Sequence, residues 1–312
     1  ARAQLVPWKM SGLLLLSAAH TFRATRALQP RALETTHTRA AVLSGAAATA
    51  ALLGAPLRNS ALDCVPAGAA PPVWSPAAQS LTGKTILITG GNNGVGLESA
   101  KRLAAAGAQL IVTARDQRRA DAGAARIQAP LAAIGLELNL ASLESVRGLP
   151  TRLSDVLGAD VAIDVLINHA QGESPLYSKK VNQGGVAERA TTEDGFDRII
   201  GTAHLSHFAL VAALLPALKR SRRGFRVISV SSESHRSVTR GALFFALEDG
   251  LAFSGPSPPS PFERYSIAKA ANVLFAVELQ RRIEEAGLSG SAVVVGLRDP
   301  RSDLLHPDGP AA

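Results

Sequence analysis

Residues 81–312 predict an α/β domain, a doubly wound parallel sheet with helices on both faces, and three observations carry that expectation. Short β-rich runs without polar alternation recur along the segment, helix-length stretches separate them, and a glycine-rich turn joins the first run to the first helix. Continuous apolar strands are those buried on both faces, as in parallel sheets. Strand–helix alternation supplies the crossovers that parallel pairing needs. No internal repeat divides the segment, so a single domain is expected. Sheets of this kind bind ligands beyond the carboxyl ends of their strands, where strand order reverses.

The elements follow in order. Residues 84–89 (KTILIT) form the first strand and residues 95–106 a helix closed by Gly107. Residues 109–114 form a second strand, 117–129 a helix and 136–138 a brief third strand. Residues 142–157 read as a helix with Ser142 at its N-cap, a residue type whose hydroxyl satisfies a first-turn N–H. Residues 163–168 are the fourth strand, 192–219 a long helix and 225–231 the fifth strand. Residues 265–286 are helical and close at Gly287, and 291–297 are the sixth strand. Between them, residues 241–261 (GALFFALEDGLAFSGPSPPSP) are apolar and loop-like. They suit either a lid over an apolar substrate or a surface insertion packed on its own side chains.

Composition narrows the function classes. Hydrophobic residues make up 46% of the chain and aromatic ones only 4%, so Ala, Val and Leu must fill the core. The single cysteine, Cys64, excludes an internal disulfide framework and a cysteine-rich metal site, and no metal is expected. Of the formal net charge of +8, +5 falls in residues 1–80, leaving +3 for the rest. A domain at that charge has no stripe of phosphate-neutralising residues, so no nucleic-acid partner is expected.

The first eighty residues read as an address and a linker. Met10 precedes SGLLLLSAA, a short apolar run ending in small residues, as in a secretory signal. Residues 21–40 are rich in Arg, Thr and Ala and nearly free of acid, the composition of a transit peptide. Residues 40–57 are apolar and mostly Ala. They serve either as a processing signal or as one membrane-spanning helix, short for a span and interrupted by Gly, Pro and Ser. The layering resembles the presequences of proteins sent into algal plastids of secondary origin, and Arg39 before AVLSGAAATAALLGAP is similar to a thylakoid-transfer signal. The expected location is therefore the plastid (chloroplast), with association to the thylakoid membrane or a photosynthetic complex. Residues 66–80 form a Pro/Ala linker.

Chemistry concentrates in three places. The turn Thr89-Gly90-Gly91-Asn92-Asn93-Gly94-Val95-Gly96 lies between a strand and a helix. Its glycines let backbone approach a pyrophosphate whose charge sits at the helix N-terminus. Arg115 ends the second strand, where dinucleotide-binding folds commonly place an acid for the ribose 2′-hydroxyl. An arginine there pairs instead with a 2′-phosphate, so NADP(H) is the expected cofactor; the alternative is a solvated arginine, since Arg118 and Arg119 follow. Tyr265 and Lys269, four apart, share one helix face. A tyrosine exchanges protons near neutrality only with help, and a nearby ammonium supplies it. Ser232, at the end of the fifth strand, is placed to hydrogen-bond a carbonyl oxygen.

Taken in order, TGGNNGVG, LINHA, TEDGFDRIIGTAHLSHF, VISVSS and YSIAKAANVLF resemble the short-chain dehydrogenase/reductase family over about residues 82–297. The branch they resemble holds the retinol-dehydrogenase-like and protochlorophyllide-reductase-like members. The resemblance implies a Rossmann-like fold, with Ser232, Tyr265 and Lys269 as catalytic serine, tyrosine and lysine. It implies further that Gly90, Asn92, Gly94, Val95, Gly96, Arg115, Asn139, Asn168 and Ala170 line the cofactor, with Tyr265 and Lys269 beside it.

Several positions depart from the family pattern. His169 and Gln171 alter the family's Asn-Asn-Ala-Gly turn, which here reads Asn168-His169-Ala170-Gln171-Gly172. Asn139 replaces an aspartate that meets the adenine amino group, and an amide still accepts that bond. Ala203 takes the place of an asparagine that holds a relay water, while His204 and His207 read as packing or surface residues. Fifteen residues follow Leu297, and the family's substrate-loop helices and seventh strand are not among them, so a truncated chain is expected. The function these features favour is an NADPH-dependent oxidoreductase acting on an apolar carbonyl/alcohol substrate, in an assembly that includes homo-oligomers. The alternative is a catalytically weak member kept as a structural or assembly subunit of a plastid membrane complex such as a photosystem.

Overall fold

In the computed structural model, residues 76–171, 190–239, 241–243, 246, 251, 253 and 258–297 are described. In chain order the elements are β1 (Thr85–Thr89), α1 (Gly94–Ala105), β2 (Gln109–Ala114), α2 (Gln117–Ala125), β3 (Ile134–Glu137), α3 (Leu143–Leu157) and β4 (Val165–Asn168). There follow α4 (Arg198–Lys219), β5 (Phe225–Ser232), a 3-10 turn (Glu233–Ser237), α5 (Pro261–Glu285) and β6 (Gly290–Leu297). All pairings are parallel, in the order β3-β2-β1-β4-β5-β6. The chain therefore leaves β1 in one direction and returns to its other side with β4. That reversal opens a crevice at the carboxyl ends of β1 and β4.

Alternation along β1 shows why the sheet is covered twice. Leu87 packs on one face with Leu149, Leu166, Leu210 and Leu214, bringing α3 and α4 against the sheet. Ile86 and Ile88 pack on the other with Leu97, Leu103, Leu110 and Val112, under α1. These six β1, α1 and β2 side chains are at most 4% exposed, and each full burial of this kind contributes roughly 1.5–3 kcal/mol. A third, smaller cluster joins Ile200 and Ala203 of α4 to Ile267 and Ala268 of α5, with Ala246, Leu251 and Phe253 between them. These three come from the apolar 241–261 segment, most of which lies outside the described residues. Its described apolar residues thus anchor inward on the helix that carries Tyr265.

Several boundaries differ from expectation by a residue or more, four of them for a clear local reason. Helix α2 ends at Ala125 rather than 129, because Arg126 and Ile127 close it with N–H bonds to Gly123 and Ala124. Strand β3 begins at Ile134, two residues early: Gly135 is a strand residue whose missing side chain lets α2 approach, since a Cβ there would lie 2.5 Å from the Ala120 carbonyl carbon. The long helix starts at Arg198, not Thr192. Residues 192–197 form a turn closed by Thr192 and Phe196, with Gly195 at φ 87 and Asp197 as the N-cap. Helix α5 starts four residues early, at Pro261, where Ser260 and Glu263 form a reciprocal capping box.

Candidate active site

The glycine turn is built for close approach of backbone. Gly90 has φ 69, and a Cβ on it would sit 3.0 Å from the Ala170 Cβ. A Cβ on Gly96 would lie 2.4 Å from the Gly90 carbonyl oxygen and 2.9 Å from Nδ1 of His169. No side chain caps α1 at Asn93, so its first N–H groups are left for a ligand, the arrangement that suits an anion. Buried Thr89 ties this turn to the next: its Oγ1 accepts the N–H of His169 (3.0 Å) and of Ala170 (2.9 Å). With both lone pairs used, its proton is shared between His207 Nε2 at 2.9 Å and the Ile167 carbonyl at 3.4 Å. The Nδ1–H of His207 then faces the Ala203 carbonyl at 3.4 Å. Burial holds His207 well below its ordinary value, to about 3, and His204 is lowered by the same cause. Both histidines are core residues in hydrogen-bonded pairs, which settles the choice between packing and surface left open by the sequence.

Beyond the carboxyl ends of β1 to β4 lies a cleft of about 450 Å³. Gly90 and Asn92 line it from the first turn, Arg115 and Arg119 from the end of β2, Asn139 from the end of β3, and Ala170 and Gln171 from the end of β4. Arg115 is the first residue past β2 and is exposed, while Arg119 is paired with Asp116, the N-cap of α2. Asn139 is engaged at both ends: its Oδ1 accepts the Ala141 N–H and its Nδ2 donates to Glu193, each at 3.0 Å. Gly94, Val95 and Gly96 stand in the first turn of α1 rather than in the cleft wall. Asn168, 2% exposed, has both side-chain polar atoms without a hydrogen-bond partner, as have Nδ1 of His169 and Oε1 of Gln171. Buried polar atoms are rarely left so. A glycine cradle, an uncapped helix start and unpaired polar atoms in the turn after β4 fit a dinucleotide.

Tyr265 and Lys269 lie together where α5 packs on β5, the strand that ends at Ser232. Lys269 is 1% exposed; its Nζ donates to the Val230 carbonyl at 3.0 Å and lies 5.4 Å from the Tyr265 ring centre. Ser231 Oγ donates to the Lys269 carbonyl at 2.8 Å, fixing the strand end against the helix. The next residue, Ser232, is half-buried and accepts the Ser234 N–H at 3.4 Å, which leaves its own O–H to donate. Burial pushes the Lys269 ammonium down to about 7. One residue escaped sequence reasoning here. Asn272, one turn beyond Lys269, donates to the same Val230 carbonyl (3.2 Å) and to Ala203 O (3.1 Å), and accepts from His204 Nδ1 (2.9 Å). Residues 201–205 form a π-turn, so the Ala203 carbonyl is available to it. Within the cleft, Arg119, Gln171, Arg198 and Thr202 were also missed; only the spacing of Arg119 from Arg115, one helical turn, signalled any of them.

Comparison with known proteins agrees with this geometry. The short chain dehydrogenase family profile matches residues 84–243. Mouse (Mus musculus) polyprenol dehydrogenase is 33% identical over 237 residues, 74% of this chain and 62% of that protein. Mouse retinol dehydrogenase 14 is 34% identical over 238 residues, 72% of this chain and 60% of that one. The chain thus spans about three fifths of the length of these relatives. The crystal structure of an uncharacterised protein from Mycobacterium paratuberculosis superposes with a TM-score of 0.56 at 32% identity, covering 72% of this chain and 71% of that one. The chain belongs to the short-chain dehydrogenase/reductase family of nicotinamide-dependent oxidoreductases, within its retinol-dehydrogenase-like branch.

Proposed function

We propose that the protein is an NADP(H)-dependent oxidoreductase interconverting the carbonyl and alcohol forms of an apolar substrate. The observation that carries this reading is the buried lysine: Lys269 is held beneath Tyr265 by the carbonyl of Val230, two residues along β5 from Ser232. A buried cation costs stability and is kept where chemistry uses it. A bound nicotinamide would supply or take up the hydride. Ser232 donates to the substrate oxygen and orients it. Tyr265 gives that oxygen its proton in reduction and removes it in oxidation. The ammonium of Lys269 favours the phenolate and so makes Tyr265 a proton donor near neutrality. The relatives named for polyprenol and retinol support an apolar substrate, as does the inward-packed Leu251 and Phe253 segment beside α5.

Arg115 and Arg119 in the lining of the cleft support NADP(H) over NAD(H). NADP⁺ should bind at least tenfold more tightly than NAD⁺, a gap of about 1.4 kcal/mol. Calorimetric titration of both against wild type and Arg115→Ala checks this. The variant should bring the two affinities to within about threefold, and equal affinities in the wild type would remove the basis for naming NADP.

The leader, outside the described residues, is the ground for placing the protein in a plastid. Residues 1–80 fused to a fluorescent reporter should carry it into plastids of an alga with secondary plastids. A reporter that stays in the secretory pathway or cytosol would refute that placement.

A further inference from the structure

We infer that Asn272 is a positioning residue for the reaction: it fills the backbone carbonyls that would otherwise draw the Lys269 ammonium away from Tyr265. The inference rests on the proposed tuning of Tyr265 by Lys269. Strand β4 pairs with β5 only as far as Ser229, one residue short of Val230, and the Val230 carbonyl is taken by two side chains of α5. Lys269 Nζ donates to it at 3.0 Å and Asn272 Nδ2 at 3.2 Å. The same Nδ2 donates to the Ala203 carbonyl at 3.1 Å, an oxygen that also faces His207 Nδ1 at 3.4 Å. Carbonyls only accept, so the amide nitrogen must face both, and its Oδ1 takes the Nδ1–H of His204 at 2.9 Å. Lys269, Asn272, Ala203 and His204 are all buried.

The amide matters for what it denies the lysine. An ammonium has three hydrogens to place, and a lysine stem is flexible enough to follow the best acceptors. Among the described residues, the Val230 oxygen is the one acceptor that Lys269 Nζ has. Along α5 the order is Tyr265, Lys269, Asn272, each about one turn from the next, so Tyr265 and Asn272 flank the lysine along the helix. A carbonyl oxygen has two lone pairs. With Asn272 on one, the ammonium is confined to the other, and the Ala203 carbonyl is closed to it. The charge thereby stays 5.4 Å from the Tyr265 ring centre, where a cation favours the phenolate. Without the amide, Lys269 gains acceptors on the side away from Tyr265, and its charge moves toward them.

The test reads Tyr265 directly. The chain has two tyrosines, Tyr177 and Tyr265, so the full chain carrying Tyr177→Phe has one phenol. The near-ultraviolet absorbance of its phenolate reports the titration of Tyr265 without any substrate. In that reference protein, Asn272→Leu, which offers no donor and excludes water, should raise the titration by at least about one pH unit. Lys269→Met should raise it as well, and adding Asn272→Leu to that protein should move it no further, because the amide acts through the lysine. The neighbouring ionisable groups, His204 and His207 on α4 and His169 after β4, are the same in every protein compared. An unchanged titration in Asn272→Leu overturns the inference and leaves Asn272 as a structural tie between α4, α5 and β5. An equal rise with and without Lys269 overturns it too. Should Asn272→Leu fail to fold, the smaller Asn272→Val is held to the same expectation. If Tyr265 titrates no lower in the reference protein than in Lys269→Met, the tuning of Tyr265 by Lys269 is itself rejected, and the inference falls with it.

Discussion

Tyr265→Phe should turn over at least about a hundredfold more slowly than wild type while binding NADP⁺ with unchanged affinity. The substitution removes one hydroxyl from a ring that is 5% exposed and leaves the packing around Lys269 in place. What is lost is the proton donor, and general acid catalysis of this kind is worth roughly 10²–10⁴ in rate. The assay is NADPH oxidation against retinal-like aldehydes, quinones and chlorophyll precursors, with calorimetric binding measured in parallel. Equal inertness of wild type and variant across that panel, with binding intact in both, would instead favour a structural subunit that has abandoned chemistry.

The elements that the sequence located best are those whose signals are local. Strand β2 and the Ser142 cap of α3 were legible because apolar runs and capping residues act within a few positions. The sheet order, with β1 between β2 and β4, sets the crevice beyond the glycine turn that follows β1. Where the reading slipped, a residue was serving a distant contact. Gly135 lies outside the strand expected at 136–138, yet it is in β3, where its missing side chain leaves α2 the space above it. Ser260-Pro261-Phe262-Glu263 did carry a legible capping box, hidden by the proline-rich run before it.

The candidate site divides in the same way. Ser232, Tyr265 and Lys269 could be named from spacing and order, since a helix face and a strand end suffice to place them. The partners of Lys269 could not. Val230 contributes only a carbonyl, and Asn272 matters because a π-turn in α4 exposes the Ala203 carbonyl to it. This also changes the meaning of Ala203. It is 2% exposed and packed among Ile200, Ile267 and Ala268, with its carbonyl already bonded, so an asparagine there would meet a filled core rather than restore a vacant relay. Helical irregularities of this kind leave little trace in residue spacing.

Acid should unfold this protein early, and His169 should account for much of the effect. The imidazole lies against Gly96, and burial together with the nearby Lys269 charge lowers its pKa from 6.5 to about 4. His207 falls to about 3 for the same leading reason, with the Lys269, His204 and His169 charges adding to it. In the unfolded chain both titrate near 6.5, so unfolding takes up protons that the folded state refuses. Their contribution is fully kept above that value and is lost as the pH falls toward 4. At pH 5 each costs roughly 2 kcal/mol, about 4 kcal/mol for the pair, a large share of the 5–15 kcal/mol typical of a domain. Urea unfolding of wild type at pH 7, 6 and 5 should therefore show a steep fall in stability over a window where most carboxylates have not yet titrated. His169→Asn, which cannot take up a proton, should lose roughly 2 kcal/mol less over the same interval. Parallel losses in the two proteins would mean that His169 ionises as freely in the fold as in water, and that its ring is not enclosed against the glycine turn.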